Sequence, residues 1–208
     1  SNAEYDQLFE ESGVLRENTW QEFLDTSLAL GNCPPLRGDN VVIITNGGSA
    51  GLLAADHFER LGMPIKELKE ISPELRDNIR SYMPAFGSPL NPVDISGTAT
   101  SDMYGGALKT AYRDENVDGI MISVCPTAVT DVEAITETVI NIYRQYKNLG
   151  KPFIMECQGG NECRNAIMKL RDSGIPAYST PEQAVNAMVA LRRYSHIMNK
   201  KEQLIKNI

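Results

Sequence analysis

Between residues 41 and 178 the chain alternates short apolar runs with longer stretches of helical spacing. Residues 41–45 (VVIIT) and 119–125 (GIMISVC) are continuous and rich in β-branched residues, as strands covered on both faces require. Residues 49–61 carry apolar positions at helical spacing through Leu52, Leu53, Ala55, His57, Phe58 and Leu61, and Gly62 ends the run. Residues 65–68 predict a short second strand. Ser72-Pro73-Glu74-Leu75 opens a helix, with serine at the cap and proline at the first position. Residues 93–96 read as short and extended. Thr100 or Ser101 caps a helix to about Tyr112. Thr130 caps a long one over 131–148, closed by Gly150. Residues 153–157 predict a strand, 161–173 a helix and 177–178 a short strand. Thr180 with Pro181-Glu182-Gln183 opens a final helix to about His196, and the Lys/Asn-rich tail, 197–208, is expected to fray.

Ahead of this pattern, residues 4–30 read as two short helices. Tyr5, Leu8 and Phe9 share one face and Gly13 stops the first. Asn18 or Thr19 caps the second, whose stripe is Trp20, Phe23, Leu24, Ser27 and Leu28. Gly31-Asn32-Cys33-Pro34-Pro35 breaks it, so 32–39 is read as a linker and a domain boundary. The expected organisation is a tag remnant (1–3), a helical remnant of a preceding domain (4–31), the linker, a main domain (40–196) and the tail. Repeated strand–helix alternation predicts a three-layer α/β fold of flavodoxin-like or Rossmann-like type: a parallel sheet with helices on both faces and right-handed crossovers.

Composition narrows the function. The 208 residues suit one large domain, and the formal net charge of −7 argues against a nucleic-acid partner. No run reaches the roughly 18 apolar residues that span a bilayer. Cys33, Cys125, Cys157 and Cys163 form no CxxC pair, so reduced structural thiols are expected and neither a metal site nor a disulfide framework is. Ser1-Asn2-Ala3 followed by no starting methionine suggests a piece of a longer protein, expected to be cytoplasmic.

The chemical candidate is the turn Asn46-Gly47-Gly48-Ser49-Ala50-Gly51, where the first main strand passes into a helix. Parallel sheets bind ligands at the carboxyl ends of their strands. Small residues let the backbone approach a ligand, and free helix N–H groups with the helix dipole favour an anion such as phosphate. No Walker lysine follows, and the dinucleotide fingerprint is matched only at Gly48 and Gly51, with Glu67 near the position of a ribose-binding acid. A tight turn with close helix–strand packing explains the same glycines. A second rim turn is Asn91, Pro92 and Asp94, with Thr98, Thr100 and Ser101 beyond it. Cys125-Pro126-Thr127-Ala128 and Gly159-Gly160 are further strand-end turns. His57 reads as a helix-surface histidine and His196 lies near a frayed end, so no Ser-His-Asp arrangement is supported. Nothing adjacent in sequence activates Cys125. Asp131, Glu133 and Glu137 read as a solvated helix face, and Glu156 is a strand acid that would point into the rim.

Taken together the motifs resemble those of NDP-forming acyl-CoA synthetases, relatives of succinyl-CoA synthetase. Residues 42–56 resemble the family's "VaIvTNaGGpGvlaaD", and Asn91–Ile95 its "NPvDl". Gly150-Lys151-Pro152 resembles "GKP", residues 174–184 resemble "GiPvyrtPErAv", and Tyr5 to Leu15 resembles "YdAlFrqaGvi". Gly47 and Ser49-Ala50 depart from the usual alanine and Gly-Pro pair while keeping the residues small. The resemblance implies the ligase-CoA, flavodoxin-like domain of the succinyl-CoA synthetase type. It implies the reaction acid + CoA + ATP = acyl-CoA + ADP + phosphate, through an acyl phosphate and a phosphohistidine held between two helix N-termini. One of the pair would be the helix opening at Gly48. The family's "SHTG" histidine segment is absent, and neither His57 nor His196 matches it. No catalytic residue is therefore expected here, and the piece is expected to be inert and to bind no cofactor alone. The parent would use CoA, ATP/ADP and Mg, and the partners would be a CoA-binding, phosphohistidine-bearing domain and an ATP-grasp domain or subunit; a homo-oligomer stays open. The alternatives are a dinucleotide-binding oxidoreductase domain and a non-catalytic module of a fused acetyltransferase.

Overall fold

The computed structural model describes residues 2–206. Ser1, read above as part of a tag remnant, and positions 207–208 of the tail lie outside the described residues.

Strand β1 (Val41–Thr45) is buried along its whole length, as its unbroken apolar run requires. It pairs in parallel with β2 (Val93–Asp94) on one side and β3 (Gly119–Val124) on the other. β4 (Phe153–Cys157) and β5 (Ala177–Tyr178) complete a parallel sheet of order β2-β1-β3-β4-β5. That order reverses between β1 and β3, the switch point at which doubly wound sheets bind ligands.

Alternate strand residues feed two cores. Val42, Ile44, Ile120, Ile122 and Met155 meet α6 (Ser101–Arg113), α7 (Val132–Tyr146) and α8 (Asn161–Asp172), with the short α4 (Leu68–Ile71) and α5 (Pro73–Arg80) on the same face. Val41, Ile43, Met121 and Ile154 meet α3 (Gly48–Arg60) and α9 (Pro181–Lys206). The three layers match the α/β expectation. α1 (Asn2–Ser12) and α2 (Trp20–Asn32) precede the sheet, and α2 packs along α9. Thr19 caps α2 in a reciprocal capping box with Glu22. Gly62 and Gly150 take positive φ of 77° and 73°, where any side chain would be strained, and end α3 and the 3-10 turn after α7.

Four expectations need correction. Residues 65–68 form no strand: the Lys66 carbonyl is taken by the Asn91 side chain, and Glu67 caps α4 reciprocally with Glu70. The spacing of Leu68 and Ile71 serves one helical turn. The final helix does not stop near His196 but runs to Lys206, with Gly13, just past the end of α1, close against Ile197 and Lys201. On α2 the apolar stripe is not the buried face. Asp25, Thr26 and Ala29 turn inward, while Trp20 is 73% exposed and Phe23 and Leu24 are exposed with it. Cys157 and Cys163 form a disulfide, since a strand end and the next helix's first turn place their Cα atoms 5.3 Å apart, within disulfide reach. Among the described residues no helix is long and apolar enough to cross a membrane.

Candidate functional site

The carboxyl ends of β1, β2, β3 and β4 meet at one rim, and side chains tie their turns together. Asn46, buried, donates from Nδ2 to the Cys125 carbonyl at 2.9 Å and accepts the Cys125 N–H on Oδ1 at 2.8 Å. Thr127 Oγ1 donates to the Gly97 carbonyl at 2.9 Å, joining the turns after β2 and β3. Gln158 Nε2, beyond β4, donates to Cys125 Sγ at 3.0 Å. The four turns singled out in the sequence therefore form one surface at the switch point.

α3 opens from that surface. Thr45 Oγ1 accepts the Gly47 N–H at 3.0 Å and donates to the Gly47 carbonyl at 3.2 Å, which fixes the chain as it leaves β1. Gly47 is the helix cap and offers no side chain. Ala50 and Gly51 donate to the Gly47 carbonyl, so the amides of Gly48 and Ser49 lie ahead of the first helical ring with no carbonyl of the helix to bond. Ser49 is exposed and adds a hydroxyl.

The glycines are held to their size by close neighbours. A Cβ on Gly47 would lie 2.5 Å from Cys125 Sγ, one on Gly48 2.8 Å from Asp94 Oδ2, and one on Gly51 2.9 Å from both Pro92 Cβ and Thr45 Cγ2. Packing and an open helix terminus thus coexist in the same short turn.

The second rim turn divides. Asp94 reaches the site: Oδ1 accepts the Ser96 N–H at 2.8 Å and Oδ2 lies against Gly48. Pro92 forms the floor beneath Gly51. Asn91 does not reach the rim. It bonds the Ile43 N–H and the Val41 and Lys66 carbonyls, nearer the amino end of β1, and stands in for a longer edge strand.

Glu67 is not a ribose acid. It caps α4 reciprocally with Glu70, and the Lys66 carbonyl before it is bonded by Asn91, which also bonds Val41 and Ile43 nearer the amino end of β1. His57 pairs with Asn186 of α9 at 2.8 Å, away from the turn. Asp131, not Thr130 as expected, caps α7 through Ala134 N, since Thr130 Oγ1 accepts the Thr127 N–H at 3.0 Å instead, while Glu133 and Glu137 pair with Lys169. Burial pushes the Cys125 thiol above its ordinary value, with the Gln158 hydrogen bond offsetting part, so it is no activated nucleophile.

Period-two alternation aligns Thr45, Ser123 and Glu156 on the α3–α9 face at the rim, a row visible only once the strands are in register. Ser123 Oγ donates to Glu156 Oε2 at 2.6 Å, and burial pushes that carboxyl up to about 7. Among the described residues no group of three or more His, Cys, Asp or Glu side chains is placed to hold a metal ion.

Comparison with known proteins identifies the family. The ligase-CoA domain family matches residues 41–200. An ADP-forming acetate–CoA ligase I subunit alpha from Pyrococcus furiosus is 41% identical over 94% of this chain and 41% of its own length. An ADP-forming acetate–CoA ligase from Methanocaldococcus jannaschii is 32% identical over 97% of this chain and 30% of its own. A dinucleotide-forming acetyl-coenzyme A synthetase 1 from Ca. Korarchaeum cryptofilum, solved in complex with phosphate and ADP, superposes with a TM-score of 0.91 at 30% identity, covering 98% of this chain and 43% of that one. The chain spans less than half the length of each of these proteins. The family match over most of the chain, with a sequence and fold shared at this level, makes the chain a member of the ligase-CoA domain family of ADP-forming acid–CoA ligases.

Proposed function

We propose that the first turn of α3 is half of a phosphoryl cradle in an ADP-forming acyl-CoA synthetase, and that the chain supplies this half while other modules bring the reacting groups. The observation that carries the reading is the α3 terminus. It opens at the switch point with no side-chain cap, and Asn46, which would otherwise be free to cap it, is spent on Cys125. The amides of Gly48 and Ser49, the Ser49 hydroxyl and the helix dipole together favour an anion. In a water-excluded interface such fixed donors stabilise charge that develops during transfer without having to reorganise. Asp94, at the edge of the turn, favours an incoming group that couples its anion to an N–H, as a phosphorylated imidazole does.

The histidine itself belongs, in this reading, to a CoA-binding module, and nucleotide with any Mg²⁺ to an ATP-grasp module, in a cytoplasmic parent enzyme. The outward stripe of α2, Trp20 with Phe23 stacked at 5.4 Å, fits a surface covered by such a module. The test is the parent enzyme with Gly48→Val. Loss of at least about a hundredfold in acyl-CoA formation, the scale of one lost anion-stabilising donor, is expected, with the thermal midpoint checking that the fold survives. Unchanged activity in a folded variant removes the cradle role.

A further inference from the structure

The α3–α9 face of the sheet ends at the rim in four polar side chains set side by side. Thr45 neighbours Ser123, Ser123 neighbours Glu156, and Glu156 neighbours Tyr178 in the parallel register, and all four are fully buried. Thr45 is spent on Gly47, and Tyr178 donates to the Asp25 carbonyl at 2.7 Å. Glu156 receives only Ser123 on Oε2; among the described residues Oε1 is buried with no hydrogen-bond partner. An ionised carboxylate left so is expensive, and a neutral acid costs far less.

The groups around it do not help the charge. Glu182, in the first turn of α9, is of like sign. Cys125 lies beyond the end of β3, and Tyr104 of α6 spends its hydroxyl on the Ser123 carbonyl. Asp25 of α2 lies behind Tyr178 and is bonded by Gln183. The buried residues of α3, Ala50, Gly51, Ala54 and Phe58, carry no charge, and His57 is turned to Asn186.

We propose that Glu156 is a positioning residue that holds the α3–α9 seam, and through the Ser123–Thr45 row the first turn of α3, only as the neutral acid. The turn is then gated by that proton. Its meaning for phosphoryl binding rests on the cradle reading above; the coupling itself does not. Burial raises the carboxyl to about 7, the Ser123 hydroxyl opposing and Glu182 adding. The folded chain therefore holds a proton that the unfolded chain releases at its ordinary value. Stability from this group is full below that value and falls as pH rises toward 7.

The experiment uses this chain and its E156Q variant, isosteric and always neutral. Urea unfolding at about pH 5 and pH 8 should show the variant's folding constant gaining roughly a hundredfold on the wild type at the higher pH, because each pH unit by which folding raises the carboxyl is worth about tenfold. Hydrogen exchange should show the Ala50 and Gly51 amides losing about tenfold of their protection between about pH 6 and pH 8 in the wild type and holding it in the variant. Parallel stability curves, or equal loss of protection in both proteins, overturn the proposal. If E156Q does not fold, S123A serves: it removes the donor that favours the charged form, so the wild-type midpoint should move to higher pH. An unmoved or lowered midpoint overturns the proposal. Inorganic phosphate added at pH 6 separates the two readings. Gated amides that never respond to phosphate leave the gate standing and count against the cradle.

Discussion

The carboxamide of Asn46 pairs with both main-chain groups of Cys125, as a further residue of strand would. It bridges the ends of β1 and β3 where the ladder would otherwise stop. Asn46→Ala leaves a donor and an acceptor of Cys125 without partners in a half-buried turn. A loss of about 2–4 kcal/mol is expected from two abandoned hydrogen bonds, read as a lower urea midpoint at unchanged slope. A loss below about 0.5 kcal/mol, the scale of ordinary surface changes, would show that water replaces both bonds.

Gly51 and Gly31 separate packing from propensity. Alanine gains about 1 kcal/mol over glycine inside a helix. At Gly51 the new methyl meets Thr45 Cγ2 and Pro92 Cβ at 2.9 Å, two short side chains with little room to yield. Overpacking of that kind costs about 1–3 kcal/mol, so Gly51→Ala should destabilise. At Gly31, inside α2, nothing lies within 4 Å, and Gly31→Ala should stabilise. Thermal midpoints moving in the same direction would refute the steric account.

The parallel sheet was legible because its strands are buried on both faces, which makes continuous apolar runs such as 41–45 unambiguous. The Asn46–Gly51 turn was legible because small residues cluster at a strand-to-helix joint. Three things were not. The apolar pair Leu68 and Ile71 suits a strand or a single helical turn equally, and the Asn91 bond to Lys66 that excludes the strand comes from 25 residues away. Asn91 carries the same motif as Asp94, yet only register shows that it lies nearer the opposite end of β1. The row of Thr45, Ser123 and Glu156 is assembled from three separate strands. Each residue alone is an ordinary polar position at a strand end.

Cys157 and Cys163 close a short loop around the Gly159-Gly160 turn. Cross-linking so few residues restricts the unfolded chain by about 2 kcal/mol. Reduction with a strong thiol should lower the unfolding free energy by that order and leave Cys163→Ser insensitive to reductant. Intact-mass measurement after alkylation without reductant should label only Cys33 and Cys125. Labelling of all four thiols in the folded chain would remove the bridge.

Those two free thiols should also alkylate slowly. Burial raises Cys33 to about 12 and lifts Cys125 in the same direction. Iodoacetamide near pH 8 should label Cys33 at least about tenfold more slowly, and Cys125 more slowly, than an unhindered thiol of ordinary pKa, since the thiolate is the reactive form. Gln158→Ala removes the hydrogen bond that favours the Cys125 thiolate and should slow that site further. Faster labelling of Cys125 than of a free thiol would reopen it as a nucleophile.

Asp94 puts two effects of opposite sign on one carboxylate. Beside the start of α3 a negative charge answers the helix dipole, worth about 0.3–1 kcal/mol. Toward an incoming phosphoryl group the same charge is repulsive. Asp94→Asn keeps Oδ1 to accept the Ser96 N–H and removes only the charge. The variant should be less stable by up to about 1 kcal/mol and should bind inorganic phosphate several-fold more tightly at low salt, because roughly 1 kcal/mol of like-charge repulsion survives screening at a few ångströms. Amide shifts of Gly48 and Ser49 during a phosphate titration read the second effect, and urea unfolding reads the first. Weaker phosphate binding in the variant would mean that Asp94 assists the ligand and does not oppose it. Tighter binding leaves Asp94 the role proposed above, toward an N–H that inorganic phosphate lacks, with the anion held by the α3 amides alone.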